Sequence, residues 1–183
     1  MHTYTYLLRT FGIAASITYA FVAVMPIYAK SNVEGQNKIA VLGKVTGKVQ
    51  QVGFRALIQK QAIQYNLAGS AENNSDGSVQ FILQGDNDRI KQALKTITAG
   101  TKKSSDVNVS TSPATAEQNL STFTVVGWTS RSRSINNPYD LVFHLRNPDT
   151  IIDKREAKAV WLQICESAVK GEDTGKCDKG NND

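Results

Sequence analysis

The sequence predicts an α+β fold, an antiparallel sheet with two helices on one face and a further helix after it. Three observations carry that expectation. Short segments of alternating apolar residues recur between residues 38 and 128. Two stretches in the same span instead repeat apolar residues every three or four positions. The two kinds follow one another in the order β-α-β-β-α-β.

The first strand is "KIAVLGKVTGKV", residues 38–49, with an isoleucine and valines at alternating positions. In "FRALIQKQAIQYNLAG" the residues Phe54, Ile58, Ala62 and Tyr65 form one helical stripe, and Asn66 and Gly69 offer left-handed stop positions. "AENNSDGSVQFILQG" reads as a strand edge, a turn at "NSDG" and a second strand in which Val79, Phe81 and Leu83 share a face. Asp86 caps the next helix, whose stripe of Ile90, Ala93, Leu94 and Ile97 ends at Gly100. Two further alternating segments lie around Val107–Val109 and Phe123–Val125. Together these form the split βαβ arrangement known as ferredoxin-like, for which about 90 residues suffice.

Beyond Trp128 the composition shifts. "TSRSRSINNP" is a connection and "YDLVFHL" a further strand. In "DKREAKAVWLQICESAVKG", Asp153 and Glu156 have capping-box spacing and Ala157, Val160, Trp161, Ile164 and Ala168 share one face. A terminal helix of this kind usually docks on its own domain; the alternative is a face for a partner protein, which more exposed aromatics would favour. The expected organisation is a leader at 1–29, a domain at 38–128 and a C-terminal extension at 129–183, without internal repeats.

The leader carries Arg9 and then runs uncharged from Phe11 to Ala29, with Pro26 near its end and a polar stretch after it. This is the layout of a signal peptide cleaved after Ala29. This run of 19 residues also approaches the length of an uncleaved membrane anchor. Either reading exports the folded part, to the periplasm or out of the cell, and only an uncleaved leader makes the membrane a partner. The two cysteines, Cys165 and Cys177, read as a disulfide closing a short loop in an exported chain; the alternative is a packed Cys165 and a frayed Cys177. Neither cysteines nor histidines cluster, so no metal or cofactor is expected: His2 lies in the leader and His144 in the extension. The net charge of +5 is spread along the chain, and the basic "RSRS" at 131–134 comes without aromatic platforms, so nucleic acid is not an expected partner. The domain is expected to be a monomer.

The chemistry concentrates in "GKVQQVGFR", Gly47 to Arg55, which joins the first strand to the first helix. Backbone amides of a tight strand-to-helix turn converge on one point, and the helix N-terminus adds partial positive charge there. Gly47 and Gly53 give backbone freedom, and Arg55 can set a planar fork of donors over the same point. A plain turn carrying a surface arginine would use the same residues.

The string as a whole resembles the acylphosphatase signature Gly-x-Val-Gln-Gly-Val-x-Phe-Arg. Gly47, Val49, Gln50, Val52, Phe54 and Arg55 match it, while Gln51 stands where the family has glycine. A second family signature, Gly-x-x-x-Asn followed by a turn, a glycine and a strand, is matched in "GSAENNSDGSVQF" by Gly69, Asn73, Gly77 and Val79, with Ser70 in place of the usual aromatic. The resemblance covers about residues 38–128 and implies hydrolysis of small-molecule acyl phosphates to a carboxylate and inorganic phosphate. It implies that Arg55 and the amides of Gly47, Lys48, Val49, Gln50, Gln51, Val52 and Gly53 bind the phosphoryl group. Asn73 would orient the attacking water; Asn74 competes by eye, and the spacing from Gly69 favours Asn73. A left-handed angle at Gln51 would cost about 1–2 kcal/mol and could lower activity by shifting the amides. The competing reading is a non-catalytic exported module that binds an anion or another protein on the same fold.

Overall fold

The computed structural model describes residues 38–129, 138–147 and 150–169. The leader, the basic "RSRS" and Cys177 lie outside the described residues. The elements are β1 (Ile39–Lys48), α1 (Phe54–Tyr65), β2 (Ala68–Asn73), β3 (Val79–Gly85), α2 (Asn87–Ala99), β4 (Ser105–Ala114), β5 (Thr122–Trp128), β6 (Tyr139–His144) and α3 (Lys154–Val169). The β-α-β-β-α-β order is present, with β5, β6 and α3 after it.

The six strands form one sheet in the order β4-β1-β3-β2-β5-β6. The sheet is mixed rather than antiparallel throughout, because β5 runs parallel to β2, with Gly69, Ser70 and Ala71 opposite Phe123, Thr124 and Val125. The short link at 115–121 reverses the chain, so β5 runs opposite to β4. It also crosses the end of the sheet to the edge held by β2, a strand that runs opposite to β4 as well. Gln84 anchors the crossing: its Nε2 donates to the Glu117 carbonyl and its Oε1 accepts from the Glu117 amide, both at 2.7 Å.

Alternation sends Val45, Val79, Phe81, Leu83, Phe123 and Val125 to the helix-covered face, where all are buried. Ile58, Ala62, Ile90, Ala93 and Ile97 meet them from α1 and α2. Asp86 caps α2 through its carboxylate, which accepts from the amides of Asp88 and Arg89 at 3.0 Å each. The single stripe expected on α1 is too narrow. Gln59 and Gln61 are buried as well, because α2 packs on one side of the helix and α3 on the other. Gln59 reaches across to donate to the Leu141 carbonyl of β6 at 2.7 Å.

Asn66 alone ends α1, in the left-handed region at φ 53°. Gly69 is not a helix stop. It lies within β2 at φ 135°, and a Cβ there would sit 1.9 Å from the Ile82 carbonyl oxygen. The extension shares the core of the preceding domain: Leu141, Phe143, Ala157, Trp161 and Cys165 belong to one buried cluster with Phe54 and Val125. Asp153 caps α3 by accepting from the Glu156 amide at 2.8 Å. Cys165 is fully buried and is not a free thiol.

Candidate active site

The loop between β1 and α1 begins where the β1–β4 pairing slips, between Thr46 and Lys48. Gly47 has φ 106°, and a Cβ there would stand 2.2 Å from the Asp106 carbonyl oxygen, so the close approach of β4 requires glycine. Val49 and Val52 then turn inward and are buried, pinning the loop to the core. Gln51 between them is exposed with φ 60°, the left-handed angle that the sequence made a concern. Gly53, at φ 78°, precedes α1 without a side-chain cap, and the first turn of the helix holds no acidic residue. Residues 50–53 form a turn, and among the described residues the amides of Gln50, Gln51, Val52 and Gly53 make no backbone hydrogen bond of good geometry. These amides and the open helix N-terminus make a concentration of uncommitted donors.

Gln50 ties the loop to the β2–β3 turn. Its Nε2 donates to the carbonyls of Asn74 and Ser78, both at 2.8 Å. The turn is closed internally, with the Asn74 amide bonded to the Ser78 carbonyl at 2.9 Å. The Asn74 side chain donates to Ser78 Oγ at 3.0 Å and is thereby occupied. Asn73 is exposed, and among the described residues its side chain has no hydrogen-bond partner. Asn73 shares the parity of buried Ala71, so it leaves the strand on the helix-covered side, at the rim.

Arg55, in the first turn of α1, reaches the far end of β5. Its Nη1 donates to the carbonyls of Val126 and of Gly127, the latter at 3.1 Å. Its guanidinium lies 5.6 Å from the centre of the Trp128 ring. Ala71 and Val125 are partners on the parallel strands β2 and β5, and Asn73 and Gly127 each stand two residues further on. The topology therefore brings the Arg55 guanidinium and Asn73 to the same ends of adjacent strands. Burial pulls the Arg55 pKa below its ordinary value, since the charged form loses hydration. Among the described residues no carboxylate compensates it. Nε and Nη2 remain free of acceptors there. A partly desolvated cation held only by neutral carbonyls favours an anion as its partner.

His144 pairs with Thr122, at the opposite end of β5 from Gly127. The side-chain tie made by Gln50 and the carbonyl seat beneath Arg55 were not anticipated. The only sequence signal for the seat was a glycine in "VVGW", inside an otherwise regular strand.

Residues 42–125 match the family model described as Acylphosphatase. A curated acylphosphatase of Koribacter versatilis is 35% identical over 83 residues, which are 45% of this chain and 76% of that protein. An acylphosphatase of Colwellia psychrerythraea is 43% identical over 56 residues, 31% of this chain. There the chain spans 63% of the relative's length. The crystal structure of acylphosphatase from Bacillus subtilis superposes with a TM-score of 0.46 at 25% identity, over 49% of this chain and 99% of that one. Two signature segments on one topology, and a relative matched over three quarters of its length, lead to one conclusion: the chain belongs to the acylphosphatase family.

Proposed function

We propose that this protein hydrolyses acyl phosphates to a carboxylate and inorganic phosphate, with Arg55 and the amides of Gly47 to Gly53 holding the phosphoryl group and Asn73 orienting the water. The observation that carries the reading is the pairing of an uncompensated, partly buried Arg55 with a free Asn73 at the ends of adjacent strands. The uncommitted loop amides lie at the start of the helix that carries Arg55.

The reaction suits this inventory. The water oxygen forms a bond to phosphorus as the bond from phosphorus to the acyl oxygen breaks. The electron pair of that bond leaves on a carboxylate, and the water proton ends on the phosphate. The conjugate acid of the leaving group has a pKa of about 4, so no general acid is required. A loose transition state asks for orientation and for stabilisation of charge on the equatorial oxygens. Nε and Nη2 of Arg55 and the loop amides are donors of the kind needed. The Asn73 amide can accept from the water and fix its approach. We place this activity outside the cytoplasm, on the strength of the apolar leader.

Benzoyl phosphate is the test substrate for the purified full chain. Hydrolysis that falls at least a hundredfold in Arg55→Gln, and comparably in Asn73→Ala, supports the assignment, as about that loss follows removal of one transition-state donor. Intact benzoyl phosphate alongside normal binding of inorganic phosphate would turn the reading to a non-catalytic anion-binding module.

A further inference from the structure

We infer that the chain beyond β5 builds the seat of the guanidinium: Asp140 on β6 and Trp161 on α3 are positioning residues that fix Arg55 for its ligand. The inference rests on the reading of Arg55 as the phosphoryl-binding group and adds a task for the extension.

The seat starts as a defect in the sheet. Val125 pairs with Leu141 and Trp128 with Tyr139, which leaves Val126 and Gly127 together opposite Asp140. Two residues against one is a β-bulge. Successive carbonyls of a regular strand point to opposite sides, so one donor could not reach two of them in a row. In the bulge they converge, and Arg55 Nη1 donates to both. Gly127 holds the bulge at φ 60°, and its amide donates to Asp140 Oδ1 at 2.9 Å. Asp140 thus pins the backbone whose carbonyls hold the guanidinium. Its carboxylate bonds that amide, and among the described residues no ion pair joins it to Arg55.

Aromatic packing completes the seat. The Trp128 ring beneath Arg55 meets Trp161 edge-on, with centroids 6.0 Å apart and planes at 77°. Trp161 is buried on α3, and Lys60 of α1 stands 5.4 Å from its ring centre. The stack runs from the core helix, through the extension, to Arg55. Neutral carbonyls and a ring face orient the fork without cancelling its charge, so Nε and Nη2 stay available.

The test uses the full chain and two readouts. One is the 15N spectrum of the Arg55 guanidinium, identified by its loss in Arg55→Gln; the other is calorimetric affinity for inorganic phosphate. In the wild type, separate Nη1 and Nη2 signals are expected, since carbonyl bonds hinder rotation. Asp140→Ala, at an exposed position, should merge those signals and weaken phosphate binding about tenfold. Trp161→Leu should do the same, whereas Asp140→Asn and Trp161→Phe should restore most of the affinity. In an Arg55→Gln background Asp140→Ala should have no further effect on phosphate binding. Signals that stay separate in Asp140→Ala with unchanged affinity would overturn the inference, as would an equal loss in the Arg55→Gln background. A wild type that does not cleave benzoyl phosphate, yet whose Arg55 signals respond as stated, refutes the reaction and leaves the seat standing.

Discussion

At the scale of single residues, Gln51 is the departure that matters. The family signature has glycine there, and the structure puts Gln51 at φ 60°. An L-residue bears a penalty of about 1–2 kcal/mol in this region. Gln51→Gly should therefore raise unfolding stability by up to about 1 kcal/mol, part of the relief being offset by glycine's greater freedom when unfolded. Urea unfolding measures this, and benzoyl phosphate turnover at least equal to wild type should accompany it. Arg55 and Asn73 are expected to separate kinetically. On the proposed roles, Arg55→Gln should raise KM and lower kcat, because a phosphoryl anion would be held in both ground and transition states. Asn73→Ala should act mainly on kcat, since water is oriented only for attack; steady-state kinetics with benzoyl phosphate distinguishes the two.

Among the elements, the β2–β3 turn is more than a connection. Gln50 bonds two of its carbonyls, and Asp76 organises it from within by accepting from the Ser78 amide at 2.9 Å and from Lys44 Nζ at 2.8 Å. Gln50→Ala removes both loop bonds and should destabilise the fold by about 1–3 kcal/mol and raise KM; denaturant melts and kinetics read the two effects. The Lys44 hydrogen bond, then those from Ser78, hold the Asp76 carboxyl well below its ordinary 3.8. A depressed carboxylate stabilises the fold above its unfolded pKa, and that contribution is lost as the pH falls through the folded value. The stability gap between wild type and Asp76→Asn should be full near neutral pH and close progressively below the ordinary carboxylate range, as followed by urea midpoints at each pH. Exposure of the pair keeps the gap small.

At the scale of the whole molecule, the extension belongs to the same core as the residues before it. Leu141 is fully buried on β6, so Leu141→Ala should cost about 2–5 kcal/mol. Far-ultraviolet circular dichroism and tryptophan fluorescence should still report one coincident transition, because Trp128 and Trp161 sit in that shared core. Much of this architecture was legible beforehand. Strand alternation and helix stripes are local patterns, and Asp86 and Asp153 cap helices where their spacing implied. Other features depend on partners distant in sequence. Gln59 looks like a surface residue of α1 until β6 offers it the Leu141 carbonyl. Gly69 looks like a helix stop until β3 brings the Ile82 carbonyl against it. The bulge under Arg55 needs the register of β5 on β6, which no single segment encodes. The candidate site was legible in part for the same reason: the loop and Asn73 lie in short motifs, whereas the carbonyls that Arg55 bonds are assembled across the fold.

The sixth strand also alters what the sheet presents to other chains. Without β6, the outer row of unpaired amides and carbonyls would belong to β5, "TFTVVGW", a β-branched and aromatic segment without a charge. Such an edge is a template for intermolecular pairing and aggregation. With β6 in place, that row is bonded, and the strand now at the end of the order carries exposed Asp140 and His144. At the opposite end β4 is largely polar and exposed, and its Pro113 has no amide hydrogen to give a neighbour. Shortening the chain after Trp128 would therefore endanger solubility as well as the positioning of Arg55.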